Sequence, residues 1–157
     1  MTPVASVHAS AVLVGDRAVL IRGPSGAGKS RLAFDLILAG RAGQLPPAVL
    51  VGDDRVHLDT VAGELWVRPA PELAGLIEVR GIGILRLDAV AEAPLALIVD
   101  LVPQAQVERL PGIRFEEVLG LSIPLIALAA FEASATAKLR LARRAFPVPP
   151  LPAILRR

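Results

Sequence analysis

Eight consecutive residues, Gly23-Pro24-Ser25-Gly26-Ala27-Gly28-Lys29-Ser30, fit the pattern G-x-x-x-x-G-K-[ST], and that pattern has mechanical meaning only as the link from a strand to a helix. Both flanks are present. The apolar run RAVLIR, 17–22, ends directly at Gly23, and beyond Ser30 the positions Leu32, Ala33, Leu36 and Ile37 recur at helical spacing. Gly40 comes next, where a left-handed cap ends such a helix. In this setting the glycines let backbone N–H groups converge on phosphate oxygens, and the helix N-terminus adds its positive end. Lys29 reaches the β- and γ-phosphates, and Ser30 holds Mg²⁺. The expected ligand is a nucleoside triphosphate, ATP in the first place. No N-K-x-D element selects guanine, and GTP stays open.

The remaining segments predict an α/β domain with several hairpins rather than an all-parallel doubly wound sheet. HASAVLV, 8–14, and RAVLIR flank Gly15-Asp16 as a hairpin. Arg41 to Pro47 reads as a loop, and the apolar run Ala48 to Val51 stops at Gly52-Asp53-Asp54. Arg55 to Thr60 and Glu64 to Val67 alternate around Ala62-Gly63, and Pro69 and Pro71 break the chain beyond them. Ile77 to Leu87 is strand-like but contains Gly81 and Gly83. Leu95 to Val102 reads as a buried strand, with further strands at Ile113–Val118 and Ser122–Leu128. A helix is expected over 133–144, its cations Lys138, Arg140, Arg143 and Arg144 placed toward the C-terminal end. Pro147, Pro149, Pro150 and Pro152 then enforce an extended segment, giving one domain over 1–146 and a Pro-rich tail over 147–157.

Composition excludes several classes. At 157 residues, 54% hydrophobic and 20% charged, the chain is no polar linker, and one aliphatic core burying about two-thirds of the unfolded surface is feasible. Seventeen cations against fifteen anions leave a net charge of +2, which is no electrostatic footprint for nucleic acid. The absence of cysteine removes disulfides, thiolate zinc sites and cysteine nucleophiles, and suits a reducing compartment. Val118 to Phe131, the longest uncharged apolar stretch, falls short of the about 20 residues a membrane span needs and carries Pro124; it reads as buried sheet. Nothing in MTPVASVHAS marks export, so a cytoplasmic location without membrane attachment is expected.

Phosphoryl transfer needs a metal site and a group that deprotonates the acceptor. Asp53 and Asp54 end a strand, where adjacent side chains point apart, so one faces metal and phosphate and the other the acceptor; an ordinary Asp turn is the bland alternative. In Glu78-Val79-Arg80-Gly81-Ile82-Gly83-Ile84, Glu78 is a candidate metal ligand and Arg80 a candidate charge clamp, with close backbone approach the expected reason for the glycines. The competing reading is a β-bulge with a surface ion pair. His8, on the strand beside the one feeding the loop, is a candidate acid/base partner, although a lone histidine is more often structural. His57 reads as solvent-facing. Arg109 offers positive charge to a transferring phosphoryl group, or is simply a surface arginine.

Taken in order, His8, GPSGAGKS, VGDDRV at 51–56, IEVRGIGILRL at 77–87 and ERL at 108–110 resemble the catalytic domain of the bifunctional HPr kinase/phosphorylase family, which phosphorylates a serine of the phosphocarrier protein HPr. The resemblance implies that Lys29 and Ser30 bind phosphate and metal, that Glu78 completes the Mg²⁺ site with Asp53, and that His8 and Arg109 belong to the catalytic set. It implies that Asp54, with Asp53 beside it, takes the proton from the acceptor serine. It also implies a P-loop fold similar to the nucleotide domain of phosphoenolpyruvate carboxykinase, with a mixed sheet, a hexameric assembly, and a role in regulating sugar and phosphotransferase-system metabolism. Typical members carry an N-terminal domain before the catalytic half, which alone this chain matches. They also carry a basic P-V-x-x-G-R-N segment associated with dephosphorylation, whereas this chain reads ALAAFEASATAK over 127–138; a kinase without the reverse reaction is the expectation. The alternatives are a small-molecule P-loop kinase or hydrolase, and an ATP-sensing module without transfer.

Overall fold

The structure, a computed structural model, describes residues 5–112, 114–129, 135, 136, 138 and 139. Eleven strands and one long helix are described. The chain enters as β1 (Ala5–Val7), β2 (Ala9–Val14) and β3 (Arg17–Arg22), passes through the loop 23–28 into α1 (Lys29–Arg41), and returns as β4 (Ala48–Gly52). A hairpin of β5 (Val56–Val61) and β6 (Glu64–Pro69) comes next, then a small hairpin of β7 (Leu76–Val79) and β8 (Gly83–Arg86). The long strand β9 (Ala93–Leu101) precedes a last hairpin, β10 (Arg114–Val118) and β11 (Leu121–Leu128).

The main sheet runs β1-β5-β6-β9-β3-β2-β4, with β11 also on β9 and β10 on β11. It is mixed. The β3–β9 and β9–β11 ladders are parallel, while the remaining ladders of this sheet are antiparallel. One edge of β9 changes partner along its length: Ala93 and Pro94 pair with β6, and Ile98 to Leu101 pair with β11. The other edge carries β3, Arg22 opposite Asp100. Nine-residue β9 therefore fixes the end of β3, from which the loop departs.

Alternation along these strands divides the apolar side chains into two clusters. On one face Val12, Val19, Ile21, Leu97 and Val99 pack with Leu32, Ala33, Leu36 and Ile37 of α1, the helix positions that the sequence spacing singles out. On the other, Ala11, Leu20, Leu58, Leu65, Val67 and Ile98 form a second cluster. The helix is thus clamped to the sheet by burial rather than by capping: no side-chain bond caps its N-terminus, where Gly28 has φ 99°.

Several expectations are revised. Gly40 lies inside α1, which continues to Arg41 and is followed by the right-handed Ala42. Its glycine answers a steric demand instead: a Cβ there would stand 2.7 Å from the Ala48 backbone nitrogen. The run 77–87 is a separate hairpin rather than an interrupted strand. Gly81 in its turn and Gly83 at the start of β8 have φ 88° and 115° with open space around them, so backbone conformation and not close approach explains them. The stretch expected as buried sheet is only half-buried in β11, where Ile123 and Leu128 are the buried residues. The short strand β1 has no counterpart in the sequence reading. Of the helix expected over 133–144, Ala135, Thr136, Lys138 and Leu139 are described and helical; its other residues and the tail 147–157 lie outside the described residues. No described helix is long and apolar enough to cross a membrane.

Candidate active site

The loop begins just after Arg22, whose partner on β9 is Asp100. A Cβ on Gly23 would lie 3.1 Å from that of Ala27 and 3.2 Å from that of Leu101, so a side chain there would crowd both the loop and the end of β9. A turn closes within the loop, the Ala27 N–H donating to the Pro24 carbonyl at 3.0 Å. Lys29, buried at the start of α1, donates to the carbonyls of Gly23 and Pro24 at 2.8 and 3.0 Å. Burial lowers the pKa of its ammonium below the ordinary lysine value, with Asp54 and Asp53 pulling in the opposite direction.

The two aspartates at the end of β4 diverge. Asp53 is buried and accepts from the Ser10 hydroxyl at 2.5 Å, from the Ser30 hydroxyl at 2.8 and 2.9 Å, and from the Glu78 N–H at 3.2 Å. Asp54 turns outward with φ 68°, a left-handed conformation that costs a non-glycine residue energy and that Asp tolerates better than most. Its carboxylate lies 3.0 Å from His8 Nε2. Beneath it the Ala9 N–H donates to the Asp54 carbonyl at 3.1 Å, which ties this turn to the start of β2.

A cavity of about 540 Å³ opens between the loop, α1 and the β7–β8 hairpin, within the range of small-molecule sites. Lys29, Ser30, His8, Asp54, Glu78 and Arg80 line it. Arg109 does not: it is exposed after β9 and is not among the lining residues. His57, between β1 and β6 in the register, does not line it either. Three contributors escape a sequence reading: Ser10; Phe34 on α1, which with Val79 gives the cavity an apolar wall; and Arg22. The Arg22 guanidinium donates to both oxygens of Asp100 at 2.7 and 2.9 Å and also grips Glu116, so β3, β9 and β10 are pinned together beside Gly23. These contacts raise its pKa further above the ordinary arginine value.

The donor set at Asp53, Ser30 and Glu78 is all oxygen, which suits a hard divalent cation such as Mg²⁺. Among the described residues no three acidic, histidine or cysteine side chains converge as a complete cage. A Mg²⁺ ion held by these oxygens would need further ligands, and Mg²⁺ commonly takes them from phosphates and water.

The chain is similar to known proteins. The model of the HPr serine kinase C-terminal domain matches residues 1–139. An HPr kinase/phosphorylase of Bordetella pertussis is 36% identical over 140 residues, which cover 82% of this chain and 43% of that protein. One from Caldicellulosiruptor bescii is 34% identical over 141 residues, covering 82% and 43%. The solved HPr(Ser) kinase/phosphatase of Coxiella burnetii superposes with a TM-score of 0.76 at 25% identity, over 90% of this chain and 89% of that one. The chain thus spans less than half the length of these curated relatives while sharing the mixed α/β fold of the solved one. It belongs to the HPr serine kinase C-terminal domain family.

Proposed function

We propose that this chain is an ATP- and Mg²⁺-dependent protein serine kinase whose acceptor is an HPr-like phosphocarrier protein. The observation that carries this reading is Asp54, held in a left-handed turn beside His8 at the wall of the same cavity that Lys29 and Ser30 line. A carboxylate so placed has one chemical use that an ordinary turn residue lacks: it faces the space an acceptor hydroxyl must enter. The acceptor serine oxygen forms a bond to the γ-phosphorus as the bond from that phosphorus to the β–γ bridging oxygen breaks. The serine proton passes to Asp54, and ADP departs. Lys29 leaves the loop carbonyls for the β- and γ-phosphates, and Arg80 supplies a second positive charge at the cavity wall. Ser30, Asp53 and Glu78 would hold Mg²⁺, which would supply positive charge to the phosphates. Membership of the HPr serine kinase family supports the acceptor class.

The test is transfer of label from γ-labelled ATP to purified HPr, with its serine-to-alanine variant as control and inorganic phosphate added in a second arm. Serine-dependent labelling that chelator abolishes is expected, with no release of label in the phosphate arm. No labelling despite measurable ATP binding overturns the kinase reading.

A further inference from the structure

Ser10 is completely buried on β2, yet it is a hydroxyl in a sheet otherwise faced with Val12, Val19 and Ile21. A buried hydroxyl without a partner is costly, and Ser10 has one: it donates to Asp53 Oδ1 at 2.5 Å across 43 positions of sequence. That contact reaches Asp53 from within the sheet. The Ser30 hydroxyl at the start of α1 donates to the same oxygen and to Oδ2, and the Glu78 N–H of β7 donates to Oδ2. Three elements thus converge on one carboxylate, and only Ser10 among these donors belongs to neither the loop–helix junction nor the cavity hairpin.

Each donor has a different consequence. Ser30 has one hydroxyl proton, and pointing it at Asp53 leaves its oxygen lone pairs free to face a cation. For this the carboxylate must be held in one rotation, because a carboxylate free to turn would accept from Ser30 in several orientations. The bond from Ser10 to Oδ1, together with the Glu78 N–H on Oδ2, restricts that freedom. We propose that Ser10 is a positioning residue of the cation site: it locks the plane of Asp53 and thereby aims Ser30 at the metal of a bound metal–nucleotide complex. This inference rests on the metal–nucleotide reading above and deepens it. Residues behind a metal site commonly carry this task.

The experiment is a titration of the full chain with Mn²⁺ in the presence of a non-hydrolysable ATP analogue, free Mn²⁺ being read by electron paramagnetic resonance. Thermal unfolding and metal-free analogue binding are measured alongside. Ser10→Ala is expected to weaken Mn²⁺ by about 10-fold, the low end of losses seen behind metal sites, with metal-free analogue binding unchanged. Ser10→Thr keeps the hydroxyl and is expected to bind Mn²⁺ as the parent does; Ser10→Cys keeps the volume with a poor donor and falls with alanine. Unchanged Mn²⁺ affinity in both Ser10→Ala and Ser10→Cys, even with lowered melting temperatures, assigns Ser10 to fold stability alone and overturns the proposal. Absence of Mn²⁺ binding by the unsubstituted chain, despite analogue binding, overturns the cation site itself and the role of Ser10 with it.

Discussion

The imidazole of His8 and the carboxylate of Asp54 meet at 3.0 Å although 46 positions separate them. Their meeting depends on backbone, since the Ala9 N–H bonds to the Asp54 carbonyl and brings the start of β2 against the turn after β4. Both side chains are exposed, 43% for His8 and 68% for Asp54, so the pair by itself adds little to stability. Its significance lies in where it points the carboxylate.

Asp54→Asn should therefore remove transfer and spare the fold. Asparagine tolerates a left-handed backbone as aspartate does but accepts no proton, and a loss of about 100- to 10,000-fold in kcat is expected for a missing general base. ATP affinity should change little. His8→Ala should cost only about two- to fivefold, the equivalent of an exposed pair worth about 0.5–1 kcal/mol. Steady-state kinetics with calorimetric ATP binding checks both; equal losses in the two variants would place His8, and not Asp54 alone, in proton transfer.

Under the proposed reading, Lys29 should set an alkaline limit on nucleotide binding. Burial lowers its pKa from 10.5, so its charge is lost at a lower pH than for a lysine in water. ATP affinity should fall as pH rises through that lowered pKa, and Lys29→Arg, which stays charged, should abolish this pH dependence whatever it does to the affinity itself. Stability of the ligand-free protein moves the other way. Between the lowered pKa and 10.5 the unfolded chain binds more protons, so stability rises with pH across that window; calorimetric titration and thermal melts over the same range separate the two effects.

Gly40→Ala should destabilise the protein although it places a better helix former inside α1. The propensity gain is about 1 kcal/mol, but the new methyl would meet Ala48 backbone at 2.7 Å and the Ala48 Cβ at 2.8 Å. Overpacking against backbone costs about 1–3 kcal/mol, so the net change expected in urea unfolding is a loss. A gain would show that α1 and β4 separate more readily than their packing implies.

Arg22→Ala leaves Asp100 and Glu116 facing one another beside the loop. All three side chains are about two-thirds to three-quarters covered, and removing the cation from such a cluster is expected to cost about 1–3 kcal/mol, below the figure for a fully buried pair. Arg22→Ala combined with Asp100→Ala should recover part of that loss. Denaturant midpoints of the single and double variants measure the coupling; simple additivity would mean that the guanidinium only decorates the sheet.

The reach of the interactions separates the features legible in the sequence from those hidden in it. The loop 23–30 and the Gly15-Asp16 hairpin are legible because glycine turns and helical spacing act within a few residues. The divergence of Asp53 and Asp54, expected from strand alternation, comes instead from the left-handed backbone of Asp54 just beyond the end of β4. The order of the sheet is not local: β9 joins β3, β6 and β11 through partners far apart in the chain, which no window of sequence contains. Gly40 reads as a cap because its real constraint, the Ala48 backbone, lies on another element. Ser10 reads as one small polar residue in an apolar strand and reveals its use only through Asp53. A signal for the Arg22 cluster does exist: Arg22 and Asp100 are opposite charges, each lying at the end of an apolar run.

The position of β9 also orders events during synthesis. When residues 23–30 leave the ribosome, β3 can already close its hairpin with β2, but its other edge stays open. Arg22 has no Asp100, Gly23 has no Leu101 to pack against, and the β5–β6 hairpin has nothing to dock on. Non-local pairing of this kind is slow and leaves strand edges bare. A nascent chain stalled before residue 93 therefore carries the whole 23–30 loop before the strand that holds its first residue exists, with the open edge of β3 exposed to misfolding partners.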